Sequence, residues 1–231
     1  MIAVLGRGLS LNKYSSFCEL FDKIYIVNNF NEEIDTLGLS SFKTPKIIQV
    51  IGLGQSCLLT KKKYASINIE YIQYNRHIVR KKRIHGIPVY PLPKYMLDRG
   101  FPPISWDIIL GLIDKFNNHK DLSSYVEKKY RNIISKNINK SGCIRSWPTT
   151  GILAIDLALA ENEGDIYLFG FDLYSNDYMV KKRKPYQNSE WSKSKIMKYY
   201  LEELVKEFGN RKFYCSSKVK YNQENWINIG E

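Results

Sequence analysis

Four short runs of the chain are almost wholly apolar, and each is bounded by glycine, asparagine or charge. Ile2–Leu5, KIYIVNN from Lys23, KIIQVIGLG at 46–54 and DIYLFGFDLY at 165–174 have the length and β-forming content of buried strands. Between the first two, Gly6 to Ser10 form a flexible turn, and Phe17, Leu20 and Phe21 fall on one side of a short helix. Ile152, Leu153, Ile155, Leu157 and Leu159 predict a helix with an extensively buried surface, which Thr149 or Thr150 can cap through a side-chain oxygen. Ile196, Tyr200, Leu201, Leu204 and Val205 predict a late amphipathic helix over 192–208. Strands separated by helical segments imply an α/β sheet with ligand-bearing loops at its strand ends.

The middle of the chain breaks this rhythm. Five prolines between Pro88 and Pro103 remove amide donors and predict an irregular region around 86–106. Beyond it, 107–116 and part of 117–142 read as helical. No repeat divides the 231 residues, so one domain over 1–231 is expected. No apolar stretch reaches 18 residues, and the apolar start lacks a basic leader, which predicts a cytoplasmic protein.

Charge narrows the partners. The net charge is +12, concentrated at Lys61–Lys63, Arg80–Arg83 and Lys181–Lys184. Such runs attract nucleic acid, anionic lipid or phosphorylated sugars alike. Nucleic acid is the least favoured, because no groove-reading helix or base-stacking module accompanies the charge. The four cysteines, at 18, 57, 143 and 215, have neither metal-ligand spacing nor a disulfide framework.

Candidate chemistry lies at the strand ends. Gly6 and Gly8 can turn backbone amides toward an anion beside the Ser10 hydroxyl, or make a local turn alone. Asn28 and Asn29 suit a base or phosphate, or equally cap nearby backbone. Thr149, Thr150 and Gly151 open a helix whose unpaired amides and dipole favour phosphate, with simple capping as the alternative. Asp172 is a strand-end carboxylate fit for chemistry or for anchoring a loop, and Tyr174 and Tyr178 follow it with phenols that can donate to a leaving phosphate.

Taken together, AVLGRGLSL, IYIVNNF, PTTGILAIDLALA and DIYLFGFDLY resemble the bacterial sialyltransferases of glycosyltransferase family 42, over residues 2–31 and 145–208. The resemblance implies a single Rossmann-like, mostly parallel sheet with helices on both faces. It also implies transfer of sialic acid or a related nonulosonic acid from a cytidine monophosphate (CMP) donor, with no metal or other cofactor. Gly6, Arg7 and Gly8 match the donor loop, with Arg7 where the family has asparagine, and Ser10 matches the loop serine. Asn28 matches a cytidine-contacting asparagine; Thr149, Thr150 and Gly151 match the donor segment; Asp172 matches the Gly-Ile-Asp aspartate. Tyr174 matches a phosphate-contacting tyrosine, and Tyr178 is a nearby counterpart of the second. Trp191 stands where the family has its general-base histidine, and an indole cannot accept a proton.

The expectation is a glycosyltransferase with Asp172 or Glu190 activating the acceptor hydroxyl, or Asp172 acting as nucleophile. Its acceptor would be a glycan or glycolipid such as a lipooligosaccharide, reached at an anionic inner-membrane surface. A nucleotide-sugar-binding protein without transfer chemistry is the alternative, and a basic nucleic-acid-binding protein is the third.

Overall fold

The structure is a computed structural model that describes residues 1–40, 45–52, 58–74, 81–91, 93, 149–173 and 189–230, with backbone only at 189–196 and 199. Among these residues nine strands form one open sheet. They are β1 (Ile2–Leu5), β2 (Lys23–Val27), β3 (Lys46–Ile51), β4 (Ile69–Tyr74), β5 (Arg83–Ile84), β6 (Ile87–Tyr90), β7 (Ile166–Phe169), β8 (Phe213–Cys215) and β9 (Trp226–Asn228). Their order is β5-β6-β4-β3-β2-β1-β7-β8-β9, and only the β5–β6 pair is antiparallel.

Alternation along each strand sends side chains to two separate cores. Val4, Tyr25, Val27, Ile48, Val50 and Leu168 pack beneath helices α3 (Thr150–Glu161) and α4 (Ser189–Glu207). Ala3, Leu5, Ile24, Ile26, Ile51 and Phe169 pack on the opposite face against Leu11, Tyr14, α1 (Asn31–Thr36) and α2 (Lys61–Ser66). The mostly parallel sheet with helices on both faces therefore stands as expected. Helix α3 is buried from Ile152 through Leu159, as an almost entirely apolar helix must be when it lies between a sheet and another helix.

Two local expectations are corrected. The segment after β1 is not a short α-helix but two 3₁₀ turns, Leu9–Ser16 and Cys18–Leu20. Its aromatic residues decide the path: Tyr14, Phe17 and Phe21 pack on Phe169 of β7 at centroid distances of 5.6, 5.7 and 5.9 Å. Ile87–Tyr90, inside the region expected to be irregular, is a strand. The β4–β6 ladder pairs Val89 and Tyr90 and leaves Pro88 outside it, so the proline costs that ladder no donor. The helices expected at 107–116 and 117–142 lie outside the described residues.

Candidate functional site

β1 is the strand from which the sheet grows both ways, with β2 on one side and β7 on the other. In an open α/β sheet such a reversal leaves a crevice beyond the strands' carboxyl ends, because the flanking connections run to opposite faces. The segments that follow β1 and β7 meet there.

Their contact is made largely by backbone. The Gly6 N–H donates to the Phe169 carbonyl at 2.7 Å and the Gly8 N–H to the Gly170 carbonyl at 2.9 Å. A Cβ on Gly6 would lie 2.4 Å from the Gly170 oxygen, and one on Gly8 would lie 2.3 Å from Asp172 Oδ2. These two glycines thus serve close approach, and their amides are committed to the β7 loop rather than turned toward an anion. Ser10 completes the joint: its N–H donates to Asp172 Oδ2 at 2.9 Å, and its Oγ accepts from the Gly170 N–H at 3.2 Å. The Ser216 hydroxyl, just past β8, donates to the Ser10 carbonyl at 3.0 Å.

Asp172 is therefore a buried carboxylate, 4% exposed, that clasps the loop after β1. Its charge adds to burial in raising the Cys215 thiol to about 11. Arg7 points to the other side, where Nε donates to Glu33 Oε1 at 2.6 Å. Glu33 is fully buried in the first turn of α1, so this cation offsets a desolvation penalty that would otherwise be several kcal/mol.

Asn28 and Asn29 have different tasks. Asn29 Oδ1 accepts from the Asn31 N–H at 3.2 Å, a local turn at the start of α1. Asn28 reaches across to the next strand, its Oδ1 accepting from the Gly52 N–H at 2.7 Å. It holds a left-handed backbone with φ +54°, and Leu173, beside Asp172, holds φ +45°. Two of the three non-glycine residues with positive φ among the described residues thus flank the crevice, and such backbone persists only where the surroundings impose it.

The N-terminus of α3 reaches the same edge. A Cβ on Gly151 would lie 3.0 Å from the Phe171 ring, so the first helical turn rests on the segment after β7. Thr149 occupies the N-cap position but makes no side-chain capping bond, which corrects that expectation. Its N–H instead meets Met197 Sδ at 3.2 Å, fixing α3 against α4. Tyr174 and Tyr178 lie outside the described residues. Glu190 and Trp191 lie in the first turn of α4, with their side chains outside the description.

Sequence reasoning missed Glu33, Gln49 and Ser216. Gln49 carried a signal, a lone amide inside an apolar strand. Glu33 carried none, because Asn-Glu-Glu reads as a solvated helix start. The rings of Tyr64 on α2 and His85 after β5 are 5.5 Å apart, and Lys61, Lys62, Lys81, Lys82 and Arg83, in the basic runs at these two places, are exposed. Among the described residues no cluster of His, Cys, Asp and Glu could hold a metal, and no helix is long and apolar enough to cross a membrane.

No family model and no curated protein matches the sequence. Among solved structures, the chain is similar to the sialyltransferase CstII from Campylobacter jejuni in complex with cytidine-5'-monophosphate, at 16% identity and a TM-score of 0.47, covering 100% of this chain and 84% of that one. It is also similar to the same enzyme in complex with CMP-3FNeuAc, at 15% identity and a TM-score of 0.47, over 100% and 86% of the two chains. A structure of CST-II with a trisaccharide acceptor and CMP has 14% identity and a TM-score of 0.45, over 93% and 80%.

Proposed function

We propose that this protein is a glycosyltransferase that uses a CMP-activated acidic sugar, of the sialic or wider nonulosonic acid class, with no metal or other cofactor. One observation carries the reading. The motifs behind the family resemblance come from two stretches of chain more than a hundred residues apart and lie along one edge of the sheet, at the carboxyl ends of β1, β2 and β7: the loop from Gly6 to Ser10, Asn28, the α3 N-terminus at Thr149–Gly151, and Asp172.

In this reading the α3 amides and the Thr149 and Thr150 hydroxyls hold the donor phosphate, because a helix N-terminus combines unpaired donors with a favourable dipole. Asn28 meets the cytidine, and Arg7 sets local charge from its seat on Glu33. Gly6 and Gly8 shape the floor, while Tyr174 and Tyr178 donate to the departing phosphate. Of the two candidate carboxylates, Asp172 is occupied by the Ser10 amide, so Glu190 is the better base for the acceptor hydroxyl. The acceptor is a glycan or glycolipid, met at an anionic inner-membrane surface through the exposed basic residues of α2 and of the segment around β5.

Calorimetry with CMP tests the donor site. Thr149→Ala or Thr150→Ala should weaken binding by about 0.5–1.5 kcal/mol, and a folded wild type that binds no cytidine nucleotide ends the proposal. Given a donor and a glycolipid acceptor panel, Glu190→Gln should slow transfer by about 10²–10⁴-fold with donor affinity retained. Trp191, in place of the family histidine, favours a second reading, a nucleotide-sugar-binding protein without transfer. Tight donor binding with no turnover on a verified acceptor panel would select it.

A further inference from the structure

The buried length of β3, Ile47–Ile51, is apolar except at one position. Gln49 lies between Ile48 and Val50 in the interior of the sheet and has no solvent exposure. An amide buried this way costs a few kcal/mol unless both of its ends are bonded. Both are: Oε1 accepts from the Tyr64 hydroxyl at 2.6 Å, and Nε2 donates to the Asn28 carbonyl at 2.9 Å. Tyr64 comes from α2 and is 6% exposed. Burial raises its phenol to about 12, so it remains a donor at any physiological pH.

The chain of bonds ends on a residue with left-handed backbone at the crevice. Asn28 turns into the left-handed region as β2 ends, and that turn directs its carbonyl toward Gln49. Its N–H donates to the Val50 carbonyl at 2.8 Å, and its Oδ1 accepts from the Gly52 N–H at 2.7 Å. The last bond fixes the side-chain amide's orientation: an N–H can only donate, so oxygen must face Gly52 and the Asn28 NH₂ must face elsewhere. Among the described residues that NH₂ has no protein acceptor.

We propose that Gln49 and Tyr64 are positioning residues for ligand recognition, a buried relay from α2 through β3 that holds Asn28 so that its NH₂ donates to an acceptor on the pyrimidine. This rests on the reading of the crevice as a cytidine nucleotide site. The relay explains why an apolar strand carries a glutamine and why a non-glycine residue holds positive φ at that strand end. It also assigns the recognition a polarity. Asn28 presents a donor only, which suits the ring acceptors of cytosine and mismatches the N3–H of uracil where that position is met.

The test is a double-mutant cycle read by calorimetry with CMP, UMP and ribose 5-phosphate as probes. Gln49→Met should lower CMP affinity about tenfold and Tyr64→Phe about threefold, because the first removes the contact with Asn28 itself and the second only the support behind it. Ribose 5-phosphate affinity should hold, and the preference for CMP over UMP should shrink. In an Asn28→Ala background neither change should cost CMP affinity further. Equal losses for CMP and ribose 5-phosphate, or fully additive losses in the cycle, would overturn the relay and leave the nucleotide site standing. If Gln49→Met does not fold, Tyr64→Phe decides alone, since it keeps the ring and removes one hydroxyl. A wild type that binds ribose 5-phosphate as tightly as CMP would remove the relay and the cytidine reading together.

Discussion

The two ends of the same sheet are tied by different means. At the amino-terminal end, Glu161 at the end of α3 accepts from Tyr25 Oη at 2.6 Å, from the Tyr71 hydroxyl, and from Lys23 Nζ at 3.3 Å. Asn162 Nδ2 donates to Tyr25 Oη at 2.9 Å, and Arg211 Nη1 donates to the Leu159 carbonyl at 2.7 Å, where a cation suits the helix C-terminus. Long side chains do this joining, so strands and helix keep regular backbone. At the carboxyl end the joint is backbone to backbone, between Gly6, Gly8 and the β7 loop, with left-handed residues at Asn28, Gly170 and Leu173. A side-chain tie tolerates change at one residue because its neighbours can rearrange. A backbone joint excludes every side chain but hydrogen. Local conformational rules are broken mainly at the carboxyl end, which is where a functional site is expected to concentrate them.

The most severe test of this contrast is a single methyl group. Gly6→Ala should cost about 3 kcal/mol or prevent folding, because its Cβ would meet backbone that cannot swing aside. Gly164→Ala, where nothing lies within 4 Å, should change stability by less than about 0.5 kcal/mol. Denaturant unfolding compares them, and a tolerated Gly6→Ala would show that the joint is loose.

A pH titration tests the carboxyl end from a different direction. Burial raises the Cys215 thiol from 9.0 to about 11, with Asp172 adding to the effect. The folded state therefore keeps this proton longer than the unfolded chain. The contribution is fully present below pH 9 and is lost as pH rises through 11, a change of about 2–3 kcal/mol. Comparing unfolding of wild type and Cys215→Ala from pH 8 upward isolates it; parallel profiles would mean the thiol is not held in a dry environment.

The amino-terminal tie should yield less. Glu161→Gln keeps the shape and an acceptor while removing the charge, and its side chain is 31% exposed, so about 1 kcal/mol of stability is expected to go. CMP affinity should not move, since the crevice lies at the other end of the strands. A loss of nucleotide binding would erase the distinction between the two ends. The smallest effect belongs to the surface of α4, where Lys206 pairs with Glu202 at 2.9 Å and Glu203 at 3.5 Å. Lys206→Ala should leave thermal unfolding at low salt essentially unchanged, because water and salt screen an exposed pair.

Much of this architecture is written in short-range pattern. Apolar runs announce β1, β2, β3, β7 and α3, and 3.6-residue spacing announces α4, because burial of a strand or helix face is dictated by its own residues. The loop from Gly6 to Ser10, Asn28, the Thr-Thr-Gly helix start and Asp172 also stand out, as small or polar residues at apolar-run boundaries. Other features depend on which segments become neighbours, and no local pattern encodes that. Only when β7 settles beside β1 do Gly6 and Gly170 touch, does Asp172 become the clasp of Ser10, and do Tyr14 and Phe17 find Phe169 and abandon a helix for 3₁₀ turns. Only the pairing of β2 with β3 gives Gln49 a carbonyl to bond and Asn28 a reason to turn left-handed. Hydrophobic periodicity is a property of one segment, whereas hydrogen-bond complementarity is a property of two, and the second exists only once the chain has brought them together.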